Sequence, residues 1–399
     1  MRFNLWEDCN RVPLTELLSF IVDNRGKTVP TAPSGHKLIA TNCVTNNTLF
    51  PVYEKIRYLS EETYQTWFRA HPIPGDILFV NKGTPGRVCL VPDPVDFCIA
   101  QDMIALRADE SKIYPKYLFA VLRSREIQQQ IYNTNVGDVI PHFKKQFLNQ
   151  LLIPIPERSI QESIGDLYYV LSLKAERNKK INDNLYEIVN AYYTSLFKDV
   201  ECEMTTIGNY AERIYSGGTP TTSNAAYWDG TFGWFSSGET RNRFVISTEK
   251  SITQTGIDNS STKLASKHDI VMASAGQGFT RGQTSMLLID TYVNQSVIVI
   301  HADRNILPYL FWNLANRYEE LRAISDSSSI RGSLTTKMIA AFEIPCANND
   351  VIQTFSGFAW AVIPQIENNL LENERLAALR DSLLPKLMTG EIDVSAIQL

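Results

Sequence analysis

The first groups to weigh in this 399-residue chain are those that could do covalent chemistry. Asp93, followed later by Glu110-Ser111-Lys112, imitates the acid and acid-x-lysine of metal-dependent nucleases, where carboxylates hold Mg2+ and the lysine positions water. The setting is wrong for it: Glu110 and Lys112 follow the apolar run 103–106 in what reads as a loop entering a helix. The matching stretch later in the chain is Asp303-Arg304-Asn305. Gly276-Gln277-Gly278 is a fragment of a phosphate-cradling loop and not a full G-x-G-x-x-G. No full G-x-x-x-x-G-K-[ST] P-loop and no Pro-Pro-aromatic methyltransferase tetrapeptide occurs. His36, His71, His142, His268 and His301 are isolated, without metal-ligand spacing.

A second chemistry is recognition. Bases are read by Arg, Lys, Asn, Gln and hydroxyls at groove edges, and phosphates are held by cations, hydroxyls and backbone amides. Turn-rich segments supply such groups in both halves of the chain. In the first they are Arg25, Lys27, Lys82, Arg87 and the cluster His142, Lys144, Lys145; in the second, Thr219, Arg241, Arg243, Gln277, Arg281, Arg331 and Lys337. Lys145 and Lys337 read as matching places, as do the Gly-rich loops carrying Arg87 and Arg281. The bland alternative for any one of them is a solvated surface charge.

The elements that must position these residues are written twice. The run from Phe97 through Gln101 to Asp109 lines up with Thr291 through Gln295 to Asp303, and each leads to Tyr-Leu-Phe, Tyr117-Leu118-Phe119 and Tyr309-Leu310-Phe311. Upstream, Asp76-Ile77 faces Asp269-Ile270; downstream, Ser195-Leu196-Phe197 faces Lys386-Leu387-Met388. A period of roughly 190 residues is too long for a solenoid, whose units run to about 20 to 50. It indicates two copies of a domain plus a tail.

Within each copy, apolar or alternating runs at 77–80, 87–91, 269–272 and 296–300 predict strands, and helical spacing with an early proline predicts helices over 114–131 and 307–324. The tails are long helices. Ile164, Leu167, Leu171, Lys174, Asn178, Ile181, Leu185, Ile188 and Tyr192 form one stripe; Phe355 to Leu387, with Asn373 near its centre, form another. Each tail of about 40 residues would be roughly 60 Å long. Lys174, Asn178 and Asn373 would set the register of an antiparallel coiled-coil-like pair. Pro364 should kink the second helix, and Gly390 should end it. The fold class expected is α/β (α+β): two tandem-repeated mixed α/β domains, 1–155 and 204–346, joined by helical spacers, 156–203 and 347–399.

The net charge of −5 is distributed unevenly: +2 over 1–155, −3 over 156–203, 0 over 204–346 and −4 over 347–399. The acidity lies in the tails, so any polyanion site is a local patch on the domains. Cys9, Cys43, Cys89, Cys98, Cys202 and Cys346 form no C-x-x-C pair and read as reduced thiols. No apolar run approaches the roughly 20 residues that cross a bilayer, and no secretory h-region opens the chain, so a cytoplasmic protein without a membrane partner is expected.

Several motifs in fixed order carry a family resemblance. Ser216-Gly217-Gly218-Thr219-Pro220-Thr221-Thr222 leads to Tyr227-Trp228-Asp229-Gly230 and Trp234. Asp269-Ile270 precedes a Gly-rich loop, and then come Asn294-Gln295-Ser296 and the ending Leu384-Pro385-Lys386-Leu387-Met388-Thr389-Gly390-Glu391-Ile392. Together, over nearly the whole chain, they resemble the specificity subunits of type I restriction-modification systems. The first copy departs from the pattern, with Asn24-Arg25-Gly26-Lys27-Thr28-Val29-Pro30 in place of the Gly-Gly-Thr-Pro element.

The resemblance implies two target recognition domains, each reading half of a bipartite double-stranded DNA site, about 35 Å or more apart by analogy with dimeric readers. The helices would space them and bind DNA adenine methyltransferase subunits, two by the symmetry of the duplication. S-adenosylmethionine would sit on those partners, which flip the target base. ATP and Mg2+ would sit on partner subunits too, including a restriction and translocase subunit where one is present. The chain itself would be no enzyme. A related system without a motor subunit, or a nuclease using Asp93, Glu110 and Lys112, are the alternatives.

Overall fold

The structure, a computed structural model, describes residues 4–24, 26, 28–134, 141–197, 203–276, 280–327 and 332–393. It divides into two units, 1–178 with 372–399, and 179–371.

In the first unit, strands β1 (Asn10–Pro13), β2 (Leu18–Val22), β3 (His36–Ile39), β4 (Arg57–Leu59), β5 (Ile77–Val80), β6 (Val88–Leu90), β7 (Phe97–Ile99), β8 (Met103–Ala108) and β9 (Leu152–Ile155) build three sheets. The largest has the order β2-β8-β5-β6, a smaller one β4-β3-β7, and β1 pairs with β9. In the second unit, β10 (Met204–Thr206), β11 (Ala211–Ser216), β12 (Trp228–Phe235), β13 (Phe244–Val245), β14 (Lys250–Ile252), β15 (Lys263–Ala265), β16 (Ile270–Ala273), β17 (Thr284–Leu287), β18 (Thr291–Val293), β19 (Val297–Ala302) and β20 (Glu343–Pro345) follow. Their orders are β11-β19-β16-β17-β13, β14-β12-β18-β15 and β10-β20. Strand for strand the second set repeats the first, with β13 and β15 added at the edges.

The central strands read as continuous apolar runs because both faces of the larger sheet are covered. Successive side chains point to opposite faces. Ile77, Phe79, Ile104 and Leu106 enter the core under the helices, while Leu78, Val80, Met103 and Ala105 enter the core under the smaller sheet. The second unit repeats the split, with Ile270, Met272, Ile298 and Ile300 on one side and Val271, Val297 and Val299 on the other. Fully burying each of these side chains larger than alanine contributes about 1.5–3 kcal/mol.

Three polar details are shared by both copies. The Asp76 and Asp269 carboxylates accept from the backbone N–H of Ile73 (3.0 Å) and Ser266 (2.9 Å), and each pairs with a nitrogen-bearing side chain on the neighbouring strand. The partner is Arg107 at 2.9 Å in the first copy and His301 at 2.5 Å in the second. Tyr117 and Tyr309 donate to the Pro154 carbonyl (2.9 Å) and the Pro345 carbonyl (2.6 Å). Asp109 and Asp303 accept from the N–H two residues on, at 3.2 and 2.8 Å.

The single helix expected over 114–131 is two, Pro115–Leu122 and Arg125–Asn133, and that over 307–324 is also two, Leu307–Asn316 and Tyr318–Ser327. Both break at an arginine that leaves to cap carbonyls elsewhere. Arg123, buried over the Phe119 ring, donates to the Val88, Thr45 and Thr48 carbonyls. Arg317 reaches the Glu343 carbonyl at 2.6 Å.

The tails are helices Arg158–Phe197, the central helix, and Asn349–Met388, the C-terminal helix, which continues through Pro364. Gly390, at φ +66°, ends the latter. There the Glu391 and Gly390 N–H groups cap the Lys386 (2.8 Å) and Leu387 (3.3 Å) carbonyls. In the first unit the two run antiparallel, with Asn178 donating to Glu372 (2.6 Å) and Asn373 (3.0 Å) and Lys174 3.2 Å from Glu372. In the second unit Asn182 donates to the Ile366 carbonyl (3.2 Å) and accepts from Asn369 (2.7 Å).

The stripe expected from Ile181 onward is rotated. Asn182, Tyr186, Val189, Tyr193 and Phe197 are buried, whereas Ile181 and Ile188 are 44% and 54% exposed. The central helix there must meet both the C-terminal helix and the domain core, which shifts its buried face by one residue.

Among the described residues no helix is long and apolar enough to cross a membrane.

Candidate nucleic-acid interface

In the first unit four loops gather where β5 ends and β6 and β8 begin. The backbone N–H groups of Asn81 and Lys82 donate to the Asp102 carbonyl at 2.8 and 3.3 Å, and Gly83 N–H donates to Pro141 O at 2.9 Å. Phe143 N–H donates to Asn81 O at 2.7 Å, and Lys82 and His142 face each other in an antiparallel bridge. Phe143 is buried against Phe79, ring centroids 5.5 Å apart, so the flanking His142 and Lys144 are held outward by its anchorage. Lys145 pairs with Asp23 at 3.1 Å. Asn24, only 3% exposed, fixes the fourth loop: its amide donates to Ala70 O (2.8 Å) and Ile99 O (3.1 Å), and its oxygen accepts from Arg69 N–H (2.9 Å). Lys82, Arg87 and Lys144 are exposed, with no side-chain partner among the described residues.

The same end of the second unit is built the same way. Ser274 N–H donates to Ser296 O and Leu334 N–H to Ser274 O, both at 2.8 Å. Gly218 N–H donates to Val293 O at 3.1 Å, the counterpart of the Asn24 amide on Ile99 O in the first copy. A side-chain amide there does what a backbone amide does here, which accounts for the missing Gly-Gly-Thr-Pro element. The glycines have a steric reason: a Cβ on Gly217 would lie 1.9 Å from Val293 O, and one on Gly218 2.1 Å from Ser261 Oγ. This close approach brings the Thr219 hydroxyl onto the Gln295 side-chain oxygen, joining two motifs far apart in sequence. Trp234 donates to Gly218 O at 3.3 Å and packs edge-on to Trp228 at 5.0 Å, so the Tyr-Trp-Asp-Gly element buttresses the loop.

The remaining sequence candidates divide. Arg25, Lys27, Gln277 and Arg331 lie outside the described residues. Arg241 is exposed beside this loop end but pairs with Glu249, and its Nη1 donates to Gly238 O at 2.9 Å. Arg243 turns to the central helix, 4.2 Å over the Tyr186 ring and 3.9 Å from Asp183. Arg281 is inward, its side chain 10% exposed, paired with Asp326 and donating to Gly332 O at 2.6 Å. It braces the loop. Arg281 is also not opposite Arg87: Val80 and Ala273 N–H donate to the Arg87 (2.9 Å) and Gln283 (3.1 Å) carbonyls. Lys337 is exposed but one residue out of register with Lys145, because Leu334 matches Phe143 and places Gln146 opposite it.

The nuclease-like groups lie at the other end of the sheet. Lys112 is spent on Asp109 (3.1 Å) and Glu16 O (3.0 Å). Among the described residues no three His, Cys, Asp or Glu side chains converge as metal ligands. Sequence reasoning missed Asn24 and the matched pair Gln101 and Gln295; for the glutamines the signal was their identity at equal positions in both copies.

Known proteins place this architecture. The type I restriction modification DNA specificity domain family matches residues 24–186 and again 200–350. The specificity subunit of the Haemophilus influenzae type I restriction enzyme HindI is 20% identical over 401 residues, 80% of this chain and 86% of that protein. That of an Escherichia coli type I restriction enzyme is 28% identical over 222 residues, 51% of this chain and 54% of that one. The crystal structure of the S subunit of the M. genitalium type I restriction-modification system shares the fold, with a TM-score of 0.59 at 16% identity over 96% of both chains. With two matches that cover most of its length, the chain belongs to the type I restriction modification DNA specificity domain family.

Proposed function

We propose that this chain is the non-catalytic DNA-reading subunit of a type I restriction-modification complex, in which 1–155 and 204–346 each read one half of a bipartite duplex site. The observation that carries this is the repeated loop end: one backbone arrangement, two different sets of side chains. Lys82, Arg87, His142, Lys144 and Lys145, with Arg25 and Lys27, would act in the first reader. Thr219, Arg241, Lys337, Gln277 and Arg331 would act in the second, with Arg281 bracing the loop and Arg243 holding the helix.

Segments 156–203 and 347–399 would space the readers and dock methyltransferase subunits, two by the duplication. Ile181 and Ile188, seven residues apart, and Phe358, 38% exposed and 4.9 Å from Tyr192, offer an apolar face for such a partner. S-adenosylmethionine, and ATP and Mg2+ where a restriction subunit joins, would be bound by those partners.

The test is binding of the full chain, reconstituted with the methyltransferase subunits of its own system, to duplexes enriched from a random-core library. Charge reversal at Lys82, Lys144 and Lys337 should weaken binding at least tenfold and flatten its salt dependence by about 0.9 per lost phosphate contact. Unchanged binding would make the chain a scaffold without a DNA role.

A further inference from the structure

The two glutamines at the centre of the loop ends have no role in the reading above. Gln101 and Gln295 occupy the same position in the tight turn between the strand pairs β7/β8 and β18/β19. That turn is fixed in both copies. The carbonyl of the following residue, Asp102 or Ser296, accepts the backbone N–H of Asn81 (2.8 Å) or Ser274 (2.8 Å) from the neighbouring loop. In the second copy the 8%-exposed Asn294 also accepts the Ser296 N–H at 2.9 Å. The glutamine is therefore presented at the middle of the recognition end, flanked by Lys82 in one copy and by Thr219 in the other.

Polar identities kept between the copies otherwise have an internal reason. Asp76 and Asp269, Asp109 and Asp303, and Tyr117 and Tyr309 each make the same bond within their own domain. The glutamines do not. Gln295 is exposed and accepts the Thr219 hydroxyl, whereas Gln101 makes no side-chain hydrogen bond among the described residues. What they have in common lies outside the chain. Around them the readers have diverged, as readers of different bases must, so the shared ligand is a feature that every half-site offers. With the Gln295 oxygen held by Thr219, the free edge is the amide N–H pair, a donor without charge.

We propose that Gln101 and Gln295 each donate to a backbone phosphate oxygen of the duplex and set the register of their domain on it. This contact is common to both readers and carries no base information. The inference rests on the DNA-reading function proposed above.

The full chain with its methyltransferase subunits is tested on duplexes selected from a random-core library, at several salt concentrations. Gln101→Ala and Gln295→Ala should each weaken binding roughly 3- to 10-fold, the size of one hydrogen bond, for selected and unselected duplexes alike. The selected sequence and the salt slope should both stay as in the parent. Gln101→Lys and Gln295→Lys, which give the phosphate a cation, should restore affinity and steepen the slope by about 0.9. Thr219→Val should weaken binding through the second domain only.

Loss of sequence preference at a base pair in either variant would make the glutamine a base reader and overturn the proposal. So would parent-like affinity in both alanine variants. If the parent complex itself selects no sequence, the DNA-reading function fails first, and the two failures are told apart.

Discussion

Gly217→Ala puts the construction of the Gly217–Thr219 loop to a direct test. The new Cβ would lie 1.9 Å from the Val293 carbonyl oxygen and 2.8 Å from its carbon. Both are backbone atoms of a paired strand, so relief requires lifting 217–218 off β18. That lift breaks the 3.1 Å Gly218 N–H bond to Val293 O and carries Thr219 away from Gln295. Overpacking costs about 1–3 kcal/mol and the bond about 1 kcal/mol, for a total of about 2–4 kcal/mol. Urea unfolding followed by tryptophan fluorescence reports on it, because Trp234 donates to Gly218 O and Trp228 packs against Trp234. At a slope of about 2 kcal/mol/M the transition should move by about 1–2 M. Gly357→Ala is the matched control: its Cβ meets nothing within 4 Å on an exposed helical face, and it should stabilise by about 0.5–1 kcal/mol. A Gly217→Ala protein that unfolds with the parent would show that the Gly-Gly element is free, and the steric reasoning would be wrong.

Other outcomes are expected from single contacts. Asn182→Ala should cost about 1–3 kcal/mol by stranding the Asn369 amide in a buried seam and removing the side-chain bond to the Ile366 carbonyl, read by thermal melting. Glu372 is held below its ordinary value of 4.5 by the Asn178 amide and then by Lys174. A depressed folded pKa means stability that is present above that ordinary value and lost as pH falls through the folded one. Melting of Glu372→Gln should therefore be flatter on the acid side than that of the parent. Arg281→Lys should not replace the parent residue, because a lysine cannot hold the Asp326 carboxylate and the Gly332 carbonyl in one plane; amide exchange in 280–284 should rise. Arg87→Ala should weaken binding to all duplexes uniformly and lower the salt slope by about 0.9.

Much of this molecule is readable in its residues, and the exceptions have physical causes. The duplication, the strands at 77–80 and, to within one residue, 269–272, and the glycine stop at Gly390 follow from pattern alone, since they rest on periodicity and on a left-handed turn. The break of each domain helix was hidden, because Arg123 and Arg317 end it by tertiary bonds to carbonyls far along the chain. The seam face at Asn182 was misplaced by one residue, because a helix packed on two neighbours does not bury its most apolar stripe. Among the site candidates, Arg281 and Arg243 look like surface cations in sequence but have partners supplied by residues 326 and 186, which no local spacing reveals. Gln101 is visible only by comparing the copies, since one glutamine in a turn is unremarked, and Gln295 stands in the Asn294-Gln295-Ser296 motif, which by itself gives it no role.

Two independent readers on one chain is the proposed organisation. Its most direct measurement is an exchange of residues 204–346 for those of a relative, followed by sequencing the positions methylated in DNA by the reconstituted complex. Two readers require that one half of the recognised sequence change while the other half is kept. A change in both halves, or in neither, would contradict them.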